Sequence, residues 1–466
     1  MNDLWQPIQF DRELIRKYDR PGPRYTSYPT APQFTADFGS AQYSDLLAAS
    51  VPAGRPLSLY VHIPFCAHRC FFCGCNVTIS HDRSWGKRYL PLLEKEMAMA
   101  AERLDAAHRE VIQIHWGGGT PTFLPPEDLT GLMAAIRRCF RVSPSCEIGV
   151  EVDPRECSAA HLDALTGAGV NRLSMGLQEL DPRVQRAVNR MQSVEQTWTV
   201  IDGGRKRGIE SLNVDLIYGL PHQTPDGFAA TVREVIAMAP DRLALFNFAY
   251  LPQMFPHQRV VRPETLPDPE AKLRMLEEAI AALTVGGYLF IGMDHFARPG
   301  DPLAQALRDR TLTRNFQGYS TCAATDLVAF GVSSISEVAG GYAQNVKALG
   351  EYRAALESGH FPTCRGLLRS PEDELRRDVI LDLMCHFRID KADIEARHSI
   401  DFDFCFGEEL ELLEPMADDG LVELTPRHVE VTPRGRLLVR NIAMTFDSYL
   451  HGSAQTAGTA RYSRTV

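Results

Sequence analysis

No stretch of this 466-residue chain is apolar over the roughly 18–20 residues that a membrane-spanning helix needs. The N-terminus, MNDLWQPIQFDRELIRKYDR, has no hydrophobic core of the kind a secretory signal carries. A basic excess is missing too: 49 Lys and Arg stand against 59 Asp and Glu, a formal net charge of -10. Proteins that grip nucleic acid nonspecifically usually carry the opposite sign. A local basic groove, or a few inward-facing arginines that hold an anionic small molecule, stays compatible with this balance. There is no repeat of solenoid type and no low-complexity tract. These absences lead to the expectation of a cytoplasmic protein with no membrane or nucleic-acid partner, in a compartment where thiols are reduced and structural disulfides are rare.

What is present is the balance of a globular protein, 44% apolar and 23% charged. The length exceeds one ordinary core and predicts a large domain with a smaller one attached. Eleven cysteines in a reducing compartment point to metal or cluster chemistry where they crowd. Cys66, Cys70, Cys73 and Cys75 fall within ten positions. Cys139, Cys146, Cys157, Cys322, Cys364, Cys385 and Cys405 are scattered and read as small apolar residues, mostly buried.

Strand-like and helical runs alternate. Strands are predicted from Leu57, Val111, Cys146, Asn171, Ser211 and Arg242, with helices over Trp85–Leu104, Pro126–Cys139, Ala159–Thr166, Pro182–Arg207 and Gly227–Met238. Leu90, Leu93, Met97 and Ala101 recur at helical spacing and give the first helix one buried face. Parallel strands need helix-sized crossovers, so the pattern predicts an α/β fold, a partial parallel (β/α)6 barrel over residues 51–345. Functional groups in such folds gather at the C-terminal strand ends, and each candidate motif falls there. After about residue 345 the pattern changes to helices at Leu375–Arg388 and Phe406–Ala417, a hairpin over Leu421–Gly435 and a helix from Arg436. Residues 346–466 are thus expected to form a smaller, mainly helical, winged-helix-like domain. That shape often binds DNA. The mixed charge here favours a lid or substrate-facing role.

The cysteine segment runs Tyr60-Val-His-Ile-Pro-Phe-Cys66-Ala-His-Arg-Cys70-Phe-Phe-Cys73-Gly-Cys75. Thiolates are soft ligands that suit iron–sulfur clusters and zinc. A structural zinc site recruits four ligands, commonly as two separated pairs. Three cysteines in one short loop leave one iron of a four-iron cluster open, able to chelate a substrate amine and carboxylate. Zinc, or cysteines that are merely buried, are the alternatives. Cys75 is ambiguous: a fourth ligand, or a nearby non-ligand, because Cys73 and Cys75 point oppositely if the backbone is extended.

This CxxxCxxC loop after a strand resembles the radical S-adenosylmethionine superfamily. The longer YVHIPFCxxxCxFCGC, together with RPGPRYTSYPTAPQF (Arg20–Phe34), is similar to the oxygen-independent coproporphyrinogen III oxidase family, and the likeness runs from about Lys17 to the C-terminal RYSRTV. The resemblance implies oxidative decarboxylation of two propionate side chains of coproporphyrinogen III to vinyl groups, giving protoporphyrinogen IX in haem biosynthesis. It implies a [4Fe-4S] cluster on Cys66, Cys70 and Cys73 that passes an electron to S-adenosylmethionine, and a 5'-deoxyadenosyl radical that takes a propionate hydrogen. An electron-donor protein such as a flavodoxin or ferredoxin is implied, with an acceptor the sequence does not name. Nothing demands a dimer, and a monomer is expected.

Two S-adenosylmethionine positions are implied. Tyr60, Phe72 and the glycine turn with Gly118, Gly119 and Thr120 match residues of the first, where successive glycines let backbone approach a ligand closely. Glu151, in EVDP, matches a carboxylate that takes ribose hydroxyls. Gln178, Arg190 and Asp215 match residues around the second, Arg190 being read as part of a helix. Ala249 and Ile335 match apolar or backbone contacts. Cys322 and Tyr250 depart from the family pattern and put local substrate contacts in doubt. His62, His295 and Tyr319 receive no role, and no catalytic acid or base is singled out.

Two other functions compete: a haem-carrying relative of the same superfamily, and a zinc-stabilised nucleic-acid binder. Residues 1–50 are read as a substrate-covering segment. Pro21, Pro23 and Pro29 keep Arg20–Phe34 extended, Arg24 can meet a propionate, and Tyr25 and Tyr28 can cover a tetrapyrrole edge.

Overall fold

The computed structural model describes residues 6–451 and 462–465. Residues 1–5, 452–461 and 466 lie outside the described residues, and with them Arg461 and Val466 of the RYSRTV match. The chain packs as two units. Phe34–Met275 with Ala324–Leu368 form the barrel unit, and Met1–Gln33, Leu276–Ala323 and Arg369–Val466 form the second. Each draws on more than one of the stretches read from the sequence.

Six parallel strands build the barrel unit: β1 (Leu57–Ile63), β2 (Glu110–Gly118), β3 (Arg141–Val152), β4 (Arg172–Gln178), β5 (Ser211–Tyr218) and β6 (Arg242–Asn247). They pair in that order, each with the next. The alternation of strand and helix thus gives the expected parallel α/β fold. Helix signals agree with the local chemistry. Pro126–Cys139 opens on proline, carries Glu127 and Asp128 in its first turn and Arg137 and Arg138 in its last, and buries Leu129, Leu132, Met133 and Ile136.

Three local expectations are corrected. The helix Pro182–Arg207 is two helices, Pro182–Ala187 and Val194–Lys206. Asn189 turns left-handed at φ 55° and Ser193 caps the second helix, so the pattern stops and restarts. The buried face of Trp85–Arg103 is Tyr89, Leu93, Glu96, Met97 and Ala100, rotated from the apolar spacing because a glutamate belongs to it. Four further strands, Asp326–Phe330, Ile335–Val338, Gly341–Asn345 and Thr363–Leu368, went unread. The first pairs parallel with β1 and the others continue antiparallel.

In the second unit, helices Pro371–His386, Lys391–His398 and Gly407–Asp418 accompany an antiparallel sheet of Arg388–Asp390, Val422–Leu424 and His428–Val431. The hairpin is where the sequence predicts it, and Arg388–Asp390 adds a third strand. Residues 20–30 contain no helix, as their prolines require. Tyr25 and Tyr28 are each 1% exposed, with hydroxyls bonded to Asp447 Oδ2 and Ser448 Oγ at 3.0 Å. They pack inside this unit and do not present their rings to a ligand. Among the described residues no helix is long and apolar enough to cross a membrane.

Candidate active site

A cavity of about 270 Å³ opens between the loop that follows β1 and the C-terminal halves of β2 to β5. Cys66, Cys70 and Cys73 line it, with Phe72, Gly118, Gly119, Thr120, Glu151, Gln178, Arg190 and Asp215. Eleven of the fourteen residues singled out from the sequence therefore meet in one place. Tyr60, Ala249 and Ile335 do not line it. Tyr60 stands behind Glu151's partner, its ring stacked on His115 at 6.0 Å. The Ala249 carbonyl accepts from Gln258 Nε2 at 3.1 Å. Ile335 opens an antiparallel strand opposite Gln344.

The three glycines at the C-terminal end of β2 each answer to a different neighbour. A Cβ on Gly117 would stand 2.7 Å from Glu151 Oε1, and one on Gly119 would stand 2.7 Å from the Phe65 carbonyl. Gly118 has φ +108°, which side-chain-bearing residues rarely adopt. That turn brings Thr120 Oγ1 to 3.5 Å from Cys66 Sγ and directs the Gly118 N–H to Glu151 Oε2 at 3.1 Å. Glu151 also meets His115 Nε2 at 3.2 Å through Oε1. Burial pushes its carboxyl up, but the His115 contact and the Gly118 N–H outweigh it and hold the group below its usual value.

Arg190 lies in the break between the two helices. It donates to Asp153 Oδ2 at 2.8 Å and to the Gly176 carbonyl, and Nη1 approaches Cys70 Sγ at 3.8 Å. Burial raises Asp153, yet Arg190 and Arg155 together keep it below its ordinary value. Gln178 sits at a register shift in β4 with φ 71°, a local kink that re-aims a side chain. Burial pushes Asp215 up to about 7 against the hydrogen bond from Asn213 Nδ2 at 2.7 Å, and the Glu151 charge adds to the rise. Two carboxyls in one cavity are thus driven apart in acidity.

The cysteine loop is a turn, so the alternation argument for Cys75 does not apply. Hydrogen bonds from Cys75, through its thiol and its N–H at 3.4 Å, outweigh burial and hold Cys73 below its usual value. Burial raises Cys66 to about 11. His257 Nε2 donates to the Cys73 carbonyl at 2.7 Å, and the Phe255 ring stands 3.3 Å from where a Gly74 Cβ would lie. Asp153, Arg155 and His257 were not found from the sequence. Asp153 and Arg155 follow Glu151 in EVDPRE and were within reach of the strand-end rule. His257, 184 residues from Cys73, gave no signal.

His62, which lies behind Gly118, bonds the Tyr60 hydroxyl at 3.2 Å and the Asn76 carbonyl at 3.0 Å, and burial lowers its pKa. It is a satisfied neutral group. Among the described residues no three His, Cys, Asp or Glu side chains gather as a site for a single metal ion. Three cysteines lining one cavity suit a multi-iron cluster. Gln178 Oε1 and Arg190 Nε, on residues lining the same cavity, are buried without a partner among the described residues. This donor set fits a cluster beside a polar, zwitterionic ligand.

Six parallel β/α units with a three-cysteine loop after the first strand define the radical S-adenosylmethionine class, and the model described as the Radical SAM superfamily matches residues 60–235. A model described as the HemN C-terminal domain matches residues 370–438. Oxygen-independent coproporphyrinogen III oxidase of Escherichia coli (strain K12) is 47% identical over 461 residues, 99% of each chain. The Pseudomonas aeruginosa enzyme of the same name is 47% identical over 445 residues, covering 95% of this chain and 96% of its own. The solved structure of coproporphyrinogen III oxidase (HemN) from Escherichia coli, described as a radical SAM enzyme, superposes with a TM-score of 0.90 at 47% identity, over 95% of this chain and 100% of that one. The chain belongs to the oxygen-independent coproporphyrinogen III oxidase family.

Proposed function

We propose that the protein oxidatively decarboxylates two propionate side chains of coproporphyrinogen III to vinyl groups, giving protoporphyrinogen IX. The observation that carries this reading is the three-thiol cavity in a chain that aligns end to end with full-length oxidases. A [4Fe-4S] cluster and S-adenosylmethionine supply, when bound, the single electron and the hydrogen-abstracting radical. The protein supplies ligands, placement and exclusion of water.

In this reading Cys66, Cys70 and Cys73 hold the cluster and leave one iron open to an amino-acid head. The Gly118–Thr120 backbone lies along that head. Glu151 keeps lone pairs beside His115 and Gly118 for ribose hydroxyls. Tyr60 steadies His115 from behind, and the Phe72 backbone meets the adenine. Gln178, Arg190 and Asp215 bound a second S-adenosylmethionine, where the unpartnered Gln178 Oε1 and Arg190 Nε offer one acceptor and one donor. Ala249 and Ile335, which lie outside the cavity lining, are read as apolar or backbone contacts.

Beyond this, an electron-donor protein of flavodoxin or ferredoxin type reduces the cluster, the chain works as a cytoplasmic monomer, and residues 1–50 secure the substrate ahead of the barrel segment 51–345. Arg24, whose guanidinium pairs with Asp294, stays partly open to solvent. The haem-carrier alternative lacks support, since the full-length relatives are oxidases. Anaerobic reconstitution with iron and sulfide, followed by assay with coproporphyrinogen III, S-adenosylmethionine and reductant, tests the reading. Protoporphyrinogen should form as S-adenosylmethionine is consumed. A reconstituted protein that binds haem and leaves coproporphyrinogen untouched reverses the assignment.

A further inference from the structure

Two stretches of the barrel unit brace the one that holds the cysteine loop, and all three share one sign of charge. Residues 66–81, 182–194 and 252–262 together carry six arginines and no Asp or Glu, in a chain whose formal net charge is -10. Hydrogen bonds join them directly. Phe71 N–H donates to the Val188 carbonyl at 2.9 Å, Asn189 Nδ2 donates to the Arg69 carbonyl at 2.9 Å, and His257 Nε2 donates to the Cys73 carbonyl at 2.7 Å. Phe72 packs on the apolar cluster of Val184, Val188, Ile217, Leu220 and Phe248, which fixes the loop on a rigid support.

The outer side of this assembly is open. Gly74 and Cys75 are exposed, as are Arg183, Arg186 and Arg259. None of these three arginines has a carboxylate partner among the described residues, although acidic groups outnumber basic ones in the chain. Met191 and Met254, in the same two stretches as these arginines, are 48% and 51% exposed. Unpaired arginines with adaptable methionines have the composition of a contact surface and not of a solvated face. Charge of one sign at a protein surface steers a partner of the other sign and sets the rate of encounter.

We infer that this face, defined by Arg183, Arg186, Arg259, Met191 and Met254, docks an acidic one-electron carrier protein that reduces the cluster behind it. The inference rests on the proposed function, since only a cluster on Cys66, Cys70 and Cys73 gives the carrier a group to reduce. The carrier loses one electron per encounter and the cluster gains it. No atom or proton is transferred at this step.

The test uses cluster-loaded full-length protein and purified oxidised flavodoxin, with the dissociation constant measured at low and at high salt. Arg183→Glu/Arg186→Glu/Arg259→Glu should raise that constant by at least about tenfold and flatten its salt dependence. Arg103→Glu/Arg233→Glu/Arg353→Glu makes the same change in net charge on other exposed arginines of the barrel unit and should change it by no more than about twofold. Cluster absorbance checks that both variants are intact. Turnover of the first variant should match wild type with dithionite, a reductant too small to need docking, and fall with reduced flavodoxin. Unchanged flavodoxin binding in the first variant overturns the inference. So does equal weakening in both variants, which makes the effect net charge alone, and so does binding of heparin but not flavodoxin at the same arginines. Loss of dithionite-driven turnover in the wild type counts against the proposed function instead, and leaves the binding result to stand by itself.

Discussion

Cys73 is fixed from two directions, by the Cys75 N–H on its sulfur and by His257 on its carbonyl. Replacing Cys66, Cys70 or Cys73 with Ala is expected to abolish four-iron binding, because three ligands are the minimum that anchors such a cluster. Iron analysis and the broad absorption near about 400 nm read the loss. Cys75→Ser should keep the chromophore, since a hydroxyl still donates to Cys73 Sγ. Iron loss equal to that of Cys73→Ala would make Cys75 a ligand. In the same cavity, Arg190→Ala and Asp215→Ala should weaken the second S-adenosylmethionine while sparing the cluster. Truncating a partner of a desolvated charged group costs about 2–5 kcal/mol, so occupancy should drop at least tenfold. Equilibrium binding of labelled S-adenosylmethionine with wild-type stoichiometry and affinity in both variants would end that assignment. Most cavity residues were legible because each sits in a short motif at a strand end. Asp153 lay in plain view two residues past Glu151. His257 was hidden because its one contact to the loop is to a backbone carbonyl, which leaves no side-chain motif to recognise.

Among the elements, the helix Trp85–Arg103 does more than cover the sheet. Its Glu96 is 1% exposed and receives the Gly331 N–H at 2.8 Å, Asn345 Nδ2 at 2.6 Å and the Tyr352 hydroxyl at 2.5 Å. One carboxyl thus ties the helix after the cysteine loop to the strand extension at residues 324–368. Burial pushes this carboxyl up to about 7, against the three hydrogen bonds that lower it. The native form therefore keeps a proton that the unfolded chain releases above 4.5, and stability falls as pH rises from there to about 7. Glu96→Gln removes the titration. It should be the less stable protein at pH near 5, having lost acceptor capacity, and the gap should close by up to about 3 kcal/mol by pH near 8. Urea denaturation of the apo-protein across that range measures it, and parallel curves for the two proteins would exclude Glu96 as the source of the slope. Apolar periodicity placed this helix well and misjudged its face by one position, because a buried glutamate is invisible to a hydrophobic pattern. The Pro182–Arg207 run misled for the converse reason. Its apolar residues keep helical spacing across a break made by Asn189 and Ser193.

For the whole molecule, the two units differ in what they need from the N-terminal segment. Every residue lining the cavity belongs to the barrel unit, whereas residues 6–33 belong to the second. There Arg440 donates to the Pro23 carbonyl at 2.9 Å and to the Gly22 carbonyl, and Arg24 pairs with Asp294. Deleting residues 1–34 should leave a protein that keeps its cluster and slowly cleaves S-adenosylmethionine without substrate, while coproporphyrinogen decarboxylation falls by orders of magnitude. Hydrogen exchange should report lost protection in residues 369–451, where Tyr25 and Tyr28 leave a cavity. Decarboxylation at the full rate would reduce the segment to a tail, and loss of the cluster would make it part of the barrel's support. The strand–helix alternation made the barrel unit readable. The second unit was only partly readable, because it joins three separated stretches through contacts that no local pattern records.

Residues 19–22 and 463–465 are bound to each other, through the bridge Pro21 to Arg464 and the bonds Gly22 N–H to Ser463 O and Thr465 N–H to Arg20 O, each at 3.0 Å. Arg20 and Thr465 are 445 residues apart. At about 5–20 residues per second, a ribosome takes roughly 20–90 s to deliver the second half of this clasp after the first has emerged. Through that interval the early aromatic segment has no finished surface to settle on, so it is exposed to chaperones and proteases during every round of synthesis. A message truncated upstream of residue 463 yields a chain with a complete cysteine loop and without this clasp.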